Sequence, residues 1–322
     1  MPGFITHYLF GRDFYKSLPI SSLKKTLNQN RAAYGLGLQG PDFIFYYLPS
    51  YVLHRKGLGS LAHTTNTQKF YLSLIESRNL FKDKEDRRTA EAYLYGFLGH
   101  YTLDTVCHPF VYGRTKYKSH SEKAYFGRHA YLETDIDTDL LLAKRHLLPS
   151  EFYNAETLTL TFRQKKVIAQ MLRYAYRHTY HGLHVTWFTM FIAIFSMQFG
   201  MFLLHDDSGQ KKVLVRFVEK IFLGYPLFSP LIPSNSLFFR TDPLNMQHRE
   251  WTNPWDETHT STESFFDLYE KADVLYRRRL KKLRAYLATT PGTPKHSKYL
   301  QDFLEAYENL SLHSGLDSSI PS

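Results

Sequence analysis

The stretch GFLGHYTLDTVCHPF, residues 96–110, is mostly apolar and aromatic. Within it, His100, Asp104 and His108 lie four residues apart, and this spacing places the three side chains on one face of an α-helix. Two imidazoles and a carboxylate on one face can bind a metal ion, although ordinary hydrogen-bonded core histidines are an alternative. Pro109 predicts that the helix ends near His108, because a proline ring clashes with the preceding turn.

The composition is that of a chain that folds around a large apolar interior. Hydrophobic residues make up 43% of the 322 residues and charged residues 22%. Apolar residues recur at helical spacing, whereas alternating β-branched residues are scarce, so we expect an all-α, multi-helix bundle. The predicted single domain covers residues 1–310, with metal ligands in 1–140 and C-terminal helices in 160–310. A Ser-rich tail, 311–322, is predicted to be disordered.

Charge and cysteine content restrict the partners and the compartment. The net charge of +10 favours anionic partners, namely phospholipid surfaces, phosphoesters or nucleic acid, without choosing among them. The single cysteine, Cys107, excludes an intrachain disulfide. The N-terminal segment lacks a basic region followed by a continuous apolar run, so no signal peptide and a cytoplasmic location are expected.

One apolar segment leaves two interpretations open. Residues 185–204, VTWFTMFIAIFSMQFGMFLL, contain no charge and are long enough to span a bilayer. Scattered polar residues favour a buried helix of a large α-domain. The alternative is a membrane-inserting or interfacial element that would give peripheral membrane association, which Trp187 and the basic surface support.

Other histidines and carboxylates in the first 140 residues extend the pattern of the opening stretch. His7 lies near the N-terminus, Asp42 follows a rigid Gly-Pro turn, and His63 lies at the start of a predicted helix. His129 and Glu133 repeat the four-residue spacing on the next predicted helix. These residues can therefore add ligands to those of the opening helix.

The complete set is too large for one zinc ion and suits two or three. Imidazoles mixed with carboxylates, without thiolates, favour hydrolytic rather than structural zinc. The candidate ligands are His7, Asp42, His63, His100, Asp104, His108, His129 and Glu133.

The order of these residues, with HxxxDxxxH at 100–108 and HxxxE at 129–133, resembles the bacterial zinc-dependent phospholipase C family. GPDFIFYY and GHYTLDTVCHP look closest to intracellular-type members that lack an export signal. The resemblance covers roughly residues 1–140 and continues more weakly through STESFFDLYEKA at 261–272. It implies an all-α fold with a trinuclear zinc site. Related single-strand nucleases and 3′-nucleotidases share this scaffold.

The resemblance also implies how the ligands divide among the metals. Each of the three predicted zinc sites takes imidazole and carboxylate ligands, and Asp104 is shared. The three sets are His63, His100 and Asp104; His108, His129 and Glu133; and His7, a bridging Asp104 and the chain's N-terminus.

Asp42 is expected to lie beside the metals, either as a ligand or as the catalytic base that orients the attacking water. Two features depart from the secreted members of the family. The chain begins Met1-Pro2 where they begin with tryptophan, and the gap between Asp104 and His108 is shorter than theirs. Both departures concern the third metal.

Three functions follow from the resemblance and the charge. The first is a zinc-dependent phosphodiesterase that cleaves phospholipids on the glycerol side of the phosphate. The second is a zinc-dependent nuclease or nucleotidase, which Glu133 in place of an aspartate disfavours. The third is a catalytically weak, membrane-associated α-helical protein that keeps the zinc site, supported by the cationic residues of 267–287. The lipid headgroup, the number of zinc ions and the oligomeric state stay open.

Overall fold

The computed structural model describes residues 3–49, 57–118, 125–235 and 242–319. Over these residues the chain forms twelve α-helices and one two-stranded antiparallel sheet, which confirms the predicted all-α fold. The elements are α1 (Phe4–Ser17), α2 (Ser22–Gln29), α3 (Arg31–Leu38), α4 (Leu58–Thr64), α5 (Thr67–Ser77), α6 (Lys84–Arg114), α7 (Tyr125–Arg145), α8 (Phe162–Thr179), α9 (Trp187–Leu204), α10 (Gln210–Phe222), β1 (Trp251–Asn253), β2 (Asp256–Ser261), α11 (Phe265–Leu287) and α12 (Pro294–Tyr307).

Short 3₁₀ helices connect several of these elements. Two of them, Asp42–Tyr46 and Asn154–Leu158, matter for the site because both pack against α9 and the first carries the candidate ligand Asp42. The 3₁₀ helices are Asp42–Tyr46, Arg78–Leu80, Pro149–Glu151, Asn154–Leu158 and Ser229–Leu231.

Helix α6 is the centre of the fold. Asp83 caps its N-terminus by accepting hydrogen bonds from the backbone N–H groups of Glu85 and Asp86. Beyond this exposed first turn, most residues from Thr89 to Tyr112 are buried, because α3, α8 and α11 pack around the helix. The candidate ligands on α6 therefore lie at the middle of the molecule, surrounded by the main hydrophobic core.

The prediction that Pro109 ends this helix is wrong, since α6 continues to Arg114. Proline removes only the hydrogen bond to the carbonyl of Thr105, and packing on all sides of α6 outweighs that loss. Gly315, at φ +66°, lies against this turn, where a Cβ atom would come within 2.6 Å of the Thr105 oxygen. His108 is thus one helical turn beyond Asp104 on the same continuous face.

The C-terminal part of the chain contains ordered structure that the sequence analysis did not identify. The polar segment 242–262 contains the β1–β2 hairpin, and Trp251 at its start is buried against Phe110. The tail predicted to be disordered from 311 is ordered through 319, where Ser311 and Leu312 are buried. Contacts with the candidate site order these residues. Residues 320–322 lie outside the described part of the chain.

Helix α9 covers most of the uncharged segment 185–204. Its inner side chains, among them Met190, Ile194 and Met197, are buried, but only 28% of the helix is buried in all. The favoured prediction of a buried core helix is therefore wrong for its outer face. Among the described residues, α9 is also the helix that is long and apolar enough to cross a membrane.

Candidate metal centre

Five elements bring the eight predicted ligands together in the interior. α1 contributes His7, the 3₁₀ helix Asp42–Tyr46 contributes Asp42, and α4 contributes His63. The remaining ligands come from α6 and α7, three and two respectively. None of the eight residues is more than 9% exposed. Burial of this many imidazoles and carboxylates is costly unless charge and polar atoms are balanced within the site.

The first cluster consists of Asp42, His63, His100 and Asp104, whose ligand atoms lie within 4.8 Å of one another. Asp42 Oδ1 lies 2.9 Å from His63 Nε2 and 3.7 Å from His100 Nε2. The backbone approaches closely here, because Gly40 adopts φ +50° and a Cβ atom on it would lie 2.0 Å from the His100 ring. The turn after α3 therefore depends on glycine to bring Asp42 into the cluster.

The second cluster consists of His108, His129 and Glu133, which also lie within 4.8 Å of one another. Glu133 Oε1 lies 2.8 Å from His129 Nε2 and 3.8 Å from His108 Nε2. The four-residue spacing on α7 places His129 and Glu133 on one face, and that face meets the ligand face of α6.

Asp104 lies between the clusters and contacts three histidines. Its Oδ1 is 3.1 Å from His7 Nε2, and its Oδ2 is 3.1 Å from His100 Nε2. The same Oδ2 is 3.7 Å from His108 Nδ1. The predicted sharing of this carboxylate thus has a geometric basis. The N-terminal ligand predicted for the third zinc, Met1 or Pro2, lies outside the described residues.

Hydrogen bonds to backbone carbonyls fix the orientation of three of the histidine rings. In each of them Nδ1 lies within hydrogen-bond distance of a backbone carbonyl, which can only accept, so Nδ1 carries the proton and the Nε2 lone pair faces the site. These pairs are His63 with Gly59 (2.7 Å), His100 with Leu38 (3.2 Å) and His108 with Leu312. Metal-binding histidines are held in this way.

Several buried polar atoms at the centre have no hydrogen-bond partner among the described residues. They include both ring nitrogens of His7, Nε2 of His100 and of His108, and both Asp104 oxygens. The contacts of 3.1 Å at Asp104 are close but do not have hydrogen-bond geometry. Ligands of a tetrahedral zinc ion lie about 3.4 Å from one another, so these separations suit atoms that converge on a metal.

The electrostatics of the pocket favour the deprotonated forms that bind a metal. Burial alone would raise the pKa of Asp104, but His100, His108 and His7 together lower it well below its usual range. Burial lowers the pKa of His129 to about 4, although Glu133 opposes the shift. A carboxylate and a neutral imidazole are the ligand states that zinc requires at neutral pH.

A pocket opens onto the centre from one side. Asp42 and Glu133 supply carboxylates to its lining, and Asp137 lies beside them. Met197 and Met201 of α9 form part of the opposite wall. Since His63, His100 and Asp104 are fully buried, Asp42 is the member of the first cluster that a molecule in the pocket meets.

Sequence reasoning missed the segment that closes the site, which we call the C-terminal strap (residues 310–319). The Leu312 N–H donates to the carbonyl of His63 at 2.8 Å, and the Leu312 carbonyl accepts from His108. Asn253 donates to the carbonyl of Ser314 at 2.9 Å and secures the strap from the hairpin. These are mostly backbone contacts, so the residue types of the strap carried no signal of them.

His313 of the strap is also close to both clusters. The centre of its ring lies 5.6 Å from that of His63 and 6.1 Å from that of His108. It is partly exposed, unlike those two ligands. A histidine within a Ser-rich segment gave no spacing signal, and only the structure places it here.

Comparison with known proteins identifies one family. A family model described as zinc dependent phospholipase C matches residues 6–198, more than half of the chain. The matched segment contains all eight predicted ligands and ends within α9. No curated protein and no solved structure matches the chain. The hairpin, α11, α12 and the strap lie beyond the matched segment.

Proposed function

The chain belongs to the zinc-dependent phospholipase C family, and on that basis we propose that it is a zinc-dependent phosphodiesterase that hydrolyses phospholipids. The observation that carries the proposal is the pair of buried clusters, which approach each other where Asp104 of the first lies 3.7 Å from His108 of the second. Their donor set of imidazoles and carboxylates, and the unpaired polar atoms at the centre, fit zinc. Two or three ions are proposed.

Each cluster has a distinct part in the proposed site. Asp42, His63, His100 and Asp104 would hold one ion, and His108, His129 and Glu133 would hold another. Compared with the set implied by family resemblance, Asp42 joins the first cluster. Zinc would lower the pKa of water in the pocket and offset negative charge on the phosphoryl oxygens. The Asp104 carboxylate would supply negative charge close to both clusters.

Asp42 is the proposed catalytic base as well as a ligand, because it is the carboxylate of the first cluster that lines the pocket. Its Oδ1 lies 2.9 Å from His63 Nε2, a separation that suits two atoms converging on one ion. In the proposed reaction the Asp42 carboxylate accepts a proton from a water molecule as the water oxygen attacks phosphorus. The bond from phosphorus to the glycerol oxygen breaks, and that oxygen takes a proton to give diacylglycerol and a phosphorylated headgroup.

The membrane-adaptor alternative loses part of its support. Part of its cationic cluster on α11 is engaged in ion pairs within the fold, since Arg277 pairs with Asp273 and the buried Arg279 pairs with Glu308. Arg279 also donates to the carbonyl of Ala306. The Arg279 contacts connect α11 to the C-terminal end of α12, and together these pairs leave fewer free charges than the sequence suggests.

The decisive experiment is metal analysis of the protein purified without chelator, followed by assay on a panel of phosphoesters. We expect at least about one zinc ion per chain and cleavage of phosphatidylcholine or phosphatidylglycerol. His100→Ala should abolish both zinc retention and activity, whereas His178→Ala, a matched change at an exposed histidine of α8, should alter neither.

Two results would contradict the proposal. A folded protein that retains no zinc would exclude the metallohydrolase. Cleavage of single-stranded DNA or of 3′-nucleotides, without cleavage of any phospholipid, would instead establish the nuclease alternative.

A further inference from the structure

We propose that the outer faces of α9 and α10 form a docking surface that seats the protein on an anionic phospholipid bilayer beside the pocket mouth. The inference rests on the proposed phospholipase function and names the physical form of the substrate, a lipid surface. The docking surface is formed by exposed apolar side chains, chiefly Phe195, Phe199, Phe202, Leu214, Phe217 and Ile221.

Helix α10 is amphipathic, but its polar face is buried and its apolar face is exposed, the opposite of a surface helix in a water-soluble protein. Its two buried residues are polar, Lys212 and Glu219. Glu219 accepts hydrogen bonds from the backbone of 227–229, and Lys212 lies over the ring of Tyr131. Its apolar side chains face outward, and Phe217 and Ile221 are 62% and 60% exposed. A helix that packs on its own protein through its polar face has an exposed apolar face, and such a face marks a site of contact with a membrane or another molecule.

Helix α9 is apolar on both faces. Its inner face packs against α8 and against the 3₁₀ helices at 42–46 and 154–158. Its outer face carries a row of phenylalanines, with Phe195, Phe199 and Phe202 at least 52% exposed. Because the inner face belongs to the core, α9 cannot span a bilayer without leaving the fold. An interfacial position satisfies both faces at once.

The charges around this surface select an anionic membrane. Arg216 and Lys220 are exposed and flank the apolar face of α10, while the single acid of that helix, Glu219, is buried. Helix α9 carries no charge. Basic residues beside an apolar helix face are the pattern of helices that bind anionic lipid surfaces. The net charge of +10 acts in the same direction at longer range.

The docking surface is continuous with the candidate active site. Met197 and Met201, on the inner face of α9, line the same pocket as Asp42 and Glu133. A phospholipid leaving the bilayer at α9 would therefore meet an apolar wall first and the carboxylates beyond it. This continuity favours a substrate-bearing membrane over a protein partner or a second copy of the chain.

The test compares vesicle binding and hydrolysis in matched variants of the zinc-loaded, full-length protein. We expect the wild type to float with vesicles of phosphatidylcholine and phosphatidylglycerol. The double variant Phe217→Glu/Ile221→Glu should lower the bound fraction at least about tenfold, because two apolar anchors are replaced by charges that the membrane repels. Phe195→Glu provides the same test on α9.

Val274→Glu is the matched control, since Val274 is 68% exposed on α11, outside the docking surface. It should bind vesicles as the wild type does. Circular dichroism and zinc content should be unchanged in all variants. Hydrolysis of bis(4-nitrophenyl) phosphate, a soluble diester, should also be unchanged, whereas hydrolysis of vesicle phospholipid should fall with binding.

Equal vesicle binding by the wild type and the double variant would overturn the docking surface. A dimer that the double variant disrupts, without vesicle binding by the wild type, would assign the surface to a second copy instead. Hydrolysis of the soluble diester without vesicle binding would refute docking and leave the phosphodiesterase standing. Vesicle binding without hydrolysis of any diester would support the docking surface and refute the phosphodiesterase.

Discussion

The candidate metal centre and the proposed docking surface invert the usual distribution of side chains in opposite ways. The centre buries eight histidine, aspartate and glutamate side chains inside the core. The docking surface exposes phenylalanines, leucine and isoleucine on α9 and α10. A soluble protein normally does neither, because buried charge is costly and exposed apolar surface promotes association. Each region becomes favourable only with a partner that supplies the missing environment.

The two regions differ in how firmly the fold defines them. Ligands of the centre are held on several sides, by carbonyls behind three imidazoles and by the strap across the clusters. Helix α10, in contrast, contacts the rest of the protein chiefly through two polar side chains and the short helix at 229–231. Changes at the centre should therefore alter chemistry and stability, and changes on the docking surface should alter partition between water and membrane.

The largest expected effect is at Asp104. Asp104→Asn keeps the size of the side chain but removes the charge that the two clusters share. We expect kcat/KM to fall at least about 10³-fold, with loss of bound zinc. Asp139→Asn, at a half-buried carboxylate on α7, is the control and should leave both unchanged. Full activity of Asp104→Asn would remove the basis for regarding the buried charge as functional.

Removal of zinc should produce the next largest effect. The proposed ions bind the folded chain and neutralise its buried carboxylates, so their loss should lower Tm by about 10 °C, measured by differential scanning calorimetry with and without chelator. Re-addition of zinc should restore Tm, and calcium should not, because imidazole ligands do not suit it. Identical melting with and without zinc would mean that the polar cluster is stable by itself.

A smaller effect is expected at the strap. Asn253→Ala removes the side-chain hydrogen bond to the Ser314 carbonyl and loosens the segment that holds His108. Zinc affinity should fall about tenfold, as for other groups that orient metal ligands, while the far-ultraviolet spectrum stays the same. Thr252→Ala, one residue earlier on β1, is the control. Unchanged affinity in Asn253→Ala would show that the strap is dispensable for binding.

The smallest expected effect is the change in stability when a residue of the docking surface is substituted and unfolding is measured without membranes. Phe217→Ser should change the free energy of unfolding by no more than about 0.5 kcal/mol, because the side chain is exposed and packs little. Leu98→Ala, at a fully buried position of α6, should cost about 2–5 kcal/mol in the same urea titration. A large loss for Phe217→Ser would mean that α10 is structural.

Local spacing predicted the α-helical class and the ligand faces of α6 and α7. These are properties of neighbouring residues, since four-residue spacing fixes a common helix face whatever the rest of the chain does. Asp42 was also recognisable, because its Gly-Pro turn made it a rigid side chain outside a helix. Asp42 was predicted either as a ligand or as the base, and in the structure it lies 2.9 Å from His63, within the first cluster.

Long-range packing defeated the other predictions. Pro109 continues a helix because α6 is enclosed by its neighbours, and the strap is ordered because backbone groups of His63 and Leu312 meet. Neither of these long-range contacts can be predicted from the residues adjacent in sequence to Pro109 or to the strap. Helix α10 was not predicted, although its apolar residues at 214, 217, 218 and 221 have the period of an amphipathic helix. What the sequence could not reveal is that its polar face turns inward.

The strap has a consequence for how the protein acquires its metals. The hydrogen bond from His108 to Leu312 joins residues 204 positions apart, and His7 and His63 belong to still earlier helices. Closing a loop of this length carries an entropic cost that only a nearly complete fold can offset. No short fragment contains both clusters and the strap, so zinc uptake should be a late event of folding. Metal content would then serve as a record of chains that have finished folding.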